Sequence, residues 1–195
     1  MMYKIFFKRV IDFLAAFFGL LLVSPIFIIS AILVKITSKG PLFFLQERLG
    51  KEGKIFKVYK FRTMTDKKRE VGREILKGDA EVTSVGEYLR RFKIDELPQI
   101  LNIIRGEMSF VGPRPCMPSQ ISDFNEDAKY RIKVTPGLTG LAQINGNIFL
   151  TWEERWKYDR EYVENYSFLL DLKIFFTTIA IVFLGEEKFL KKPNA

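Results

Sequence analysis

The chain has 195 residues, enough for one globular domain with its own core and too few for two full ones. Its 31 Lys and Arg against 23 Asp and Glu leave a net charge of +8, which suits an anionic partner: nucleic acid, a phosphorylated ligand or an anionic membrane face. With no histidine and one cysteine, Cys116, it excludes imidazole bases, histidine metal ligands, internal disulfides and cysteine zinc sites, so any chemistry falls to carboxylates, Lys, Arg, Tyr or hydroxyls.

The first element is an apolar block, Phe13–Val34, of 22 residues without a charge. As a straight helix it rises roughly 33 Å, about the hydrocarbon thickness of a bilayer. No small-residue cleavage site follows it before Lys35, so it does not read as a signal peptide. Ser24-Pro25 falls near its middle. Proline removes a backbone donor and clashes with the preceding turn, which predicts a kink, and the serine hydroxyl can satisfy a backbone group so freed. Lys4, Lys8 and Arg9 precede the block and Lys35 and Lys39 follow it, so both flanks carry the charge of a cytoplasmic side. Two readings stand: a single spanning helix, or a re-entrant pair of half-helices that returns to the face it entered.

After Gly40-Pro41 the pattern changes. Leu42–Leu45 and Lys54–Arg62 are short β-prone segments, the second alternating as a half-buried strand does, with Gly50 and Gly53 marking a turn between them. Asp66–Ala80 is a charged stretch that reads as a loop or solvated helix. Ser84–Phe92 reads as a helix capped by Ser84, and Asp95–Ile104 as another with Pro98 in its first turn and Gly106 as its stop. Ser109–Pro115 and Thr135–Asn147 are irregular and turn-rich. Thr151–Tyr166 looks helical, and its Trp152, Trp156, Tyr158, Tyr162 and Tyr166 fit either a core or a membrane interface. In Ser167–Leu184 the charges of Asp171 and Lys173 leave only Ile174–Leu184 uncharged, too short to span, so it reads as a buried or interfacial helix. Together these elements form an α+β chain: a mostly helical domain with a short β-hairpin and interfacial amphipathic helices.

Asp95-Glu96 stands out chemically. A carboxylate can attack phosphorus and form an acyl phosphate, although acid pairs also favour helix N-termini simply through the macrodipole. Arg114 lies between Pro113 and Pro115, whose fixed φ angles stiffen its backbone, and a guanidinium of reduced freedom suits bidentate phosphate binding. The bland alternative is an incidental Arg on a surface turn. Lys60, Arg62, Arg90 and Arg91 are further cations for a phosphate pocket. No Walker loop and no GxGxxG occurs.

Read in order, these strings resemble the bacterial sugar transferase family of small monotopic phosphoglycosyl transferases over about residues 4–184. They are Lys8-Arg9 with Ser24-Pro25; Gln46-x-Arg48-x-Gly50; Phe56 with Tyr59-Lys60-Phe61-Arg62-Thr63-Met64; Asp95-Glu96-Leu97-Pro98-Gln99; Met108 to Pro115; Pro136 to Gly140; and Asp171-Leu172-Lys173. The resemblance implies a sugar-1-phosphate transfer from a UDP-sugar to polyprenyl (undecaprenyl) phosphate. Asp95 would be the nucleophile, Glu96 its partner acid, UMP the leaving group and Mg²⁺ the metal, with Asp95 as its ligand. Arg114 would clamp phosphate, and Lys60, Arg62 and Arg90 would line the pocket. Residues 1–40 would be a re-entrant membrane helix, with Lys8, Arg9, Ser24 and Pro25 at its re-entry, and 41–195 the catalytic domain. That places the protein on the cytoplasmic face of the bacterial inner membrane, with membrane lipid as a partner, a homodimer allowed and no nucleic acid.

Two positions depart from the pattern. Asn147 and Thr135 stand where many relatives carry Arg, which bears on sugar and nucleotide contacts; Lys93 and its basic neighbours are candidates to compensate. The competing function is a membrane-anchored basic module that binds nucleic acid or anionic lipid, and it leaves Asp95-Glu96 and Pro-Arg-Pro unexplained.

Overall fold

The computed structural model describes residues 3–65 and 81–185. The charged stretch expected as a loop or solvated helix, Asp66–Ala80, lies outside them. A π-helical turn, Tyr3–Phe7, leads into α1 (Lys8–Thr37). An antiparallel hairpin follows, β1 (Phe43–Leu49) on β2 (Ile55–Phe61), registered from Phe43 opposite Phe61 to Leu49 opposite Ile55. Next come α2 (Ser84–Arg91), α3 (Gln99–Arg105), β3 (Ser109–Val111), β4 (Gly137–Thr139), α4 (Leu141–Ile144), α5 (Trp152–Asn165) and α6 (Phe168–Leu184). β3 and β4 pair in parallel. The mixed class is as expected, with small local corrections. The cap of α2 is Thr83, not Ser84, its hydroxyl accepting from the Gly86 N–H. Thr151 and Glu154 form a capping box on α5, and Ser167 caps α6.

The 30 residues of α1 make it, among the described residues, the one helix long and apolar enough to cross a membrane. It stays helical through Pro25, and the two half-helices expected from the sequence are not shown. Proline has no N–H for the carbonyl of Leu21, and the Ser24 hydroxyl donates to that same oxygen at 2.8 Å, so the lost acceptor is satisfied locally. One stripe of α1, at steps of three or four, faces the domain along its length. Ala16, Leu20 and Val23 pack with Phe56, Val58, Ile100 and Ile103, and Phe27, Ala31 and Val34 pack with Phe61 and Leu89. The other side, including Phe18, Leu22, Ile29 and Ile36, is exposed.

Both ends of α1 are fastened to the same domain. Arg9 donates to the carbonyls of Ile103 (2.5 Å) and Ile104 (2.8 Å) at the end of α3, where a cation complements the helix dipole. Lys8 pairs with Asp171 of α6 at 2.5 Å, and that carboxylate also accepts from Tyr3 and Tyr162. Asp12 accepts from Ser109 and the Phe110 N–H. At the far end, Arg62 is buried and donates to the carbonyls of Lys39 (2.7 Å) and Ser38 (2.6 Å). The third cluster, Val111, Leu141, Tyr162 and Ile174, joins α4, α5 and α6 beneath β3. α6 buries Ile174 and Ile181 while Leu169, Phe176 and Phe183 stay exposed. The aromatics of α5 divide: Trp156 and Tyr162 are core, and Trp152 is exposed.

Candidate active site

The acid pair sits on a turn of its own. Lys93 takes a left-handed conformation (φ 56°) and turns the chain out of α2 into a 3₁₀ turn, Ile94–Glu96. The N–H groups of Glu96 and Leu97 bond back to Lys93 and Ile94. Pro98 cannot donate, so the ladder stops there and α3 starts at Gln99, later than the Asp95 expected from the sequence. Asp95 and Glu96 therefore project from a tight turn against the first residues of α3. Gly106, at φ 84°, ends α3 as expected.

β2 supplies the first cation. Phe56 and Val58 are buried, and the period of two puts Lys60 on their side of the strand. Its Nζ reaches Glu96 Oε1 at 2.7 Å. Asn102, fully buried on α3, accepts from the Tyr59 N–H and donates to the Lys57 carbonyl, so strand and helix are pinned in register beside this pair. Arg114 supplies the second cation, its two terminal nitrogens on the two Glu96 oxygens at 3.3 and 2.5 Å. Gly112, Gly137 and Gly140 let the loop bearing Arg114 lie backbone to backbone on the Pro136–Gly140 segment. A Cβ on Gly137 would come within 2.1 Å of the Gly112 nitrogen. Arg131, buried against Asp159 at 2.9 Å, donates to the Arg114 carbonyl at 2.7 Å and holds the loop from behind.

The two acids are set apart by their surroundings. Burial is the largest influence on both. For Asp95, burial and the Glu96 charge push the carboxyl up to about 6 against the pull of Lys60, Arg90 and Lys93. For Glu96, Arg114 and Lys60 outweigh burial and hold the carboxyl well below the usual range. Glu96 is thus a fixed anion that gathers two cations, and Asp95, 9% exposed, is the more basic neighbour. Arg90 donates to the Thr63 hydroxyl at 2.8 Å and lies within the same electrostatic group.

The structure brings together Asp95, Glu96, Lys60, Arg90 and Arg114. Arg62, expected in the phosphate pocket, is not brought into this group: its terminal nitrogens donate to Lys39 and Ser38 at the end of α1. Lys8 and Arg9 are held by protein groups, Asp171 and the end of α3, and Ser24-Pro25 lies within α1. Among the described residues no three Asp, Glu or Cys side chains converge as a metal cage. Both Glu96 oxygens are engaged by Lys60 and Arg114, which leaves Asp95 as the carboxylate that could meet a cation such as Mg²⁺, an ion that takes one or two carboxylates plus substrate phosphates rather than a full protein cage.

Beside Arg114 opens a cavity of about 150 Å³ lined by Arg48, Arg114, Arg131, Arg155, Gln143 and Trp152, among others. Arg131 and Gln143 had not been singled out from the sequence. Gln143 lay inside the turn-rich Thr135–Asn147 string, and Arg131 carried no local signal. Arg48 stood in the Gln46-x-Arg48-x-Gly50 string without an assigned role; it donates to the Pro115 carbonyl at 3.3 Å and to Gln46 at 2.5 Å.

Residues 3–185 match the family described as bacterial sugar transferase. The chain is 42% identical over 179 residues to an uncharacterized sugar transferase, EpsL, of Bacillus subtilis (strain 168), covering 92% of this chain and 88% of that one. It is also 42% identical over 194 residues to the exopolysaccharide production protein ExoY of Rhizobium meliloti (strain 1021), covering 91% and 86%. A UDP-glucose:undecaprenyl-phosphate glucose-1-phosphate transferase of Klebsiella pneumoniae is 42% identical over 192 residues, covering 94% of this chain but only 41% of that longer protein.

Proposed function

The chain belongs to the bacterial sugar transferase family, and from that premise we propose that it moves a sugar-1-phosphate from a UDP-sugar to polyprenyl phosphate through a covalent intermediate on Asp95. The observation that carries this is a half-solvated arginine and a lysine ordered by Glu96 beside a buried carboxylate of raised basicity. In the first step an Asp95 oxygen attacks the β-phosphorus. The bond from that phosphorus to the bridging oxygen breaks, UMP leaves, and the phosphosugar stays as an acyl phosphate. In the second step an oxygen of polyprenyl phosphate attacks the same phosphorus, the bond to Asp95 breaks and the carboxylate is restored. The nucleophiles and leaving groups are carboxylate and phosphate oxygens, anionic on both sides of each step, so no proton has to be relayed. That suits a chain without histidine.

Two anionic substrates must approach an anionic nucleophile. Lys60, Arg90 and Arg114 offset that repulsion and stabilise charge on the equatorial oxygens. Mg²⁺, held by Asp95 with Glu96 beside it, would add further charge neutralisation between the phosphates when bound.

Residues 1–40 serve as a re-entrant membrane anchor and 41–195 as the catalytic part, on the cytoplasmic face of the inner membrane. Support comes from α1, whose two ends are tied to one domain through Arg9 and Ser38 while its far side stays apolar. Attachment of both ends to one domain favours their lying on the same side of the bilayer. Labelling single cysteines placed before Lys8 and after Lys39 tests it: both are expected on the cytoplasmic side, and opposite sides would restore a spanning helix. For the chemistry, Asp95→Asn is expected to lose both turnover and the covalent phosphosugar adduct in an assay of UMP release across UDP-sugars. Near wild-type turnover in that variant would remove Asp95 from the role of nucleophile.

A further inference from the structure

Arg48 forms no ion pair with a carboxylate among the described residues. It leaves β1 on the same face as Gln46, two residues back. Its bonds, to the Gln46 amide oxygen at 2.5 Å and the Pro115 carbonyl at 3.3 Å, go to neutral acceptors. Burial, and after it the Arg114 charge, hold the Arg48 guanidinium below its ordinary range, and Glu96 does not offset them. Two like charges held close and partly out of water repel, and an anion between them removes that repulsion. There is room for one. Arg48 and Arg114 both line the cavity of about 150 Å³, several times the space of one water. Arg131 and Arg155 add to its positive wall. The one acid among the described residues that line it, Asp159, already holds Arg131 at 2.9 Å. A guanidinium carries five N–H donors, and Arg48 uses two on the protein, which leaves others for phosphate oxygens.

We propose that Arg48, together with Arg114, binds the phosphate that departs with the nucleoside, the one that Asp95 does not attack. The proposal rests on the reading of the donor as a UDP-sugar. Arg114 decides which phosphate this is. On one side it is fixed to Glu96, next to Asp95, and on the other it lines the cavity. With the β-phosphorus at Asp95, the neighbouring phosphate is one bridging oxygen away and falls toward that cavity. When the bond from the β-phosphorus to the bridging oxygen breaks, its electron pair stays on that oxygen, and the departing phosphate passes from one negative charge to two. Arg48, with no carboxylate of its own, meets the charge as it grows. It therefore holds the departing phosphate more tightly than the diphosphate it came from, which is the sense of binding that speeds the step.

The test compares UMP with its phosphate methyl ester, which carries one charge fewer, by calorimetry on the full chain in nanodiscs at about pH 8, above the second phosphate ionisation. Wild type is expected to bind UMP about tenfold tighter than the ester. Two variants neutralise Arg48 in different ways. Arg48→Gln removes its charge. Gln46→Glu keeps Arg48 and gives it a carboxylate at the atom it already bonds, with no change of shape. Each is expected to weaken UMP about tenfold and to bring UMP and the ester within about threefold of each other, because ligand and protein changes remove one and the same interaction. Equal binding of the two ligands by wild type, which needs no variant to fold, overturns the assignment while leaving the UDP-sugar reading intact. So does Gln46→Glu with wild-type affinity and preference for UMP. Geranyl phosphate is the third ligand, and a loss in the variants confined to it gives the site to the lipid phosphate and overturns the assignment too. Failure of UMP to bind wild type overturns both readings.

Discussion

Glu96→Gln keeps the shape of a side chain and removes its charge, which isolates the part played by the Glu96 anion. The structure gives Glu96 a bond from Lys60 at 2.7 Å and bonds from Arg114 at 2.5 and 3.3 Å. A hydrogen bond to a charged group is worth about 1.5–3 kcal/mol and a neutral one about 1. Lys60 is largely covered, so its pairing loses about 1–2 kcal/mol; Arg114, at 45% exposed, is screened by water and loses about 1 kcal/mol or less. The total, about 1–3 kcal/mol, corresponds to roughly a 5- to 150-fold fall in kcat when the ordered cations are needed in the transition state. KM for the donor should hold or fall, because the two released cations then face the substrate phosphates without competition. UMP release measured over a range of donor concentrations separates the two constants. A rise in KM with kcat intact would refute the reasoning and make Glu96 a substrate contact; no change in either constant would make the pair idle.

Three further outcomes are expected. Arg62→Lys, which cannot reproduce the fork onto Ser38 and Lys39, should cost about 2–4 kcal/mol of stability by thermal unfolding and leave donor KM unchanged below the transition. Gly86→Ala should lower the unfolding midpoint and impair turnover, because its Cβ would lie 2.1 Å from the Thr63 carbonyl oxygen, whereas Gly19→Ala, with nothing within 4 Å, should be tolerated. For Asp159, burial outweighs Arg131 and Arg155 and lifts the carboxyl from 3.8 to about 6. Between those values the native state binds more protons than the unfolded one, so the stability from this group is fully present below about 4 and is lost as pH rises through about 6. The unfolding midpoint of wild type minus that of Asp159→Asn should therefore fall between pH 4 and 6, and a flat difference would contradict it.

Much of this arrangement was legible in the chain. Alternation in Lys54–Arg62 put Lys60 on the face of Phe56 and Val58, and the two prolines around Arg114 marked it as a held cation. Asp95-Glu96 was visible as a pair, yet its division into a raised and a depressed carboxyl depends on who stands nearby, and that neighbourhood spans β2, α2 and the Arg114 loop. The partners of Arg62 were not legible, because the carbonyls that end α1 lie 23 and 24 residues back and carry no side-chain signature. Ser24-Pro25 announced a broken hydrogen bond correctly. What sequence could not weigh was a hydroxyl one residue away replacing that bond and letting the helix continue. Arg131 owes its place to burial and to its bond to the Arg114 carbonyl, which no local pattern announces.

The stripe of α1 that meets the domain has a consequence for preparing this protein in water. Ala16, Leu20, Val23, Phe27, Ala31 and Val34 complete two of the three apolar clusters, so deleting the N-terminal helix to obtain a soluble form would strip the cover from Phe56, Ile100, Phe61 and Leu89. Solubilisation by design should instead repaint the outward residues, such as Phe18, Leu22, Ile29 and Ile36, and leave the inward ones alone. In this fold the long apolar helix is also one wall of the domain.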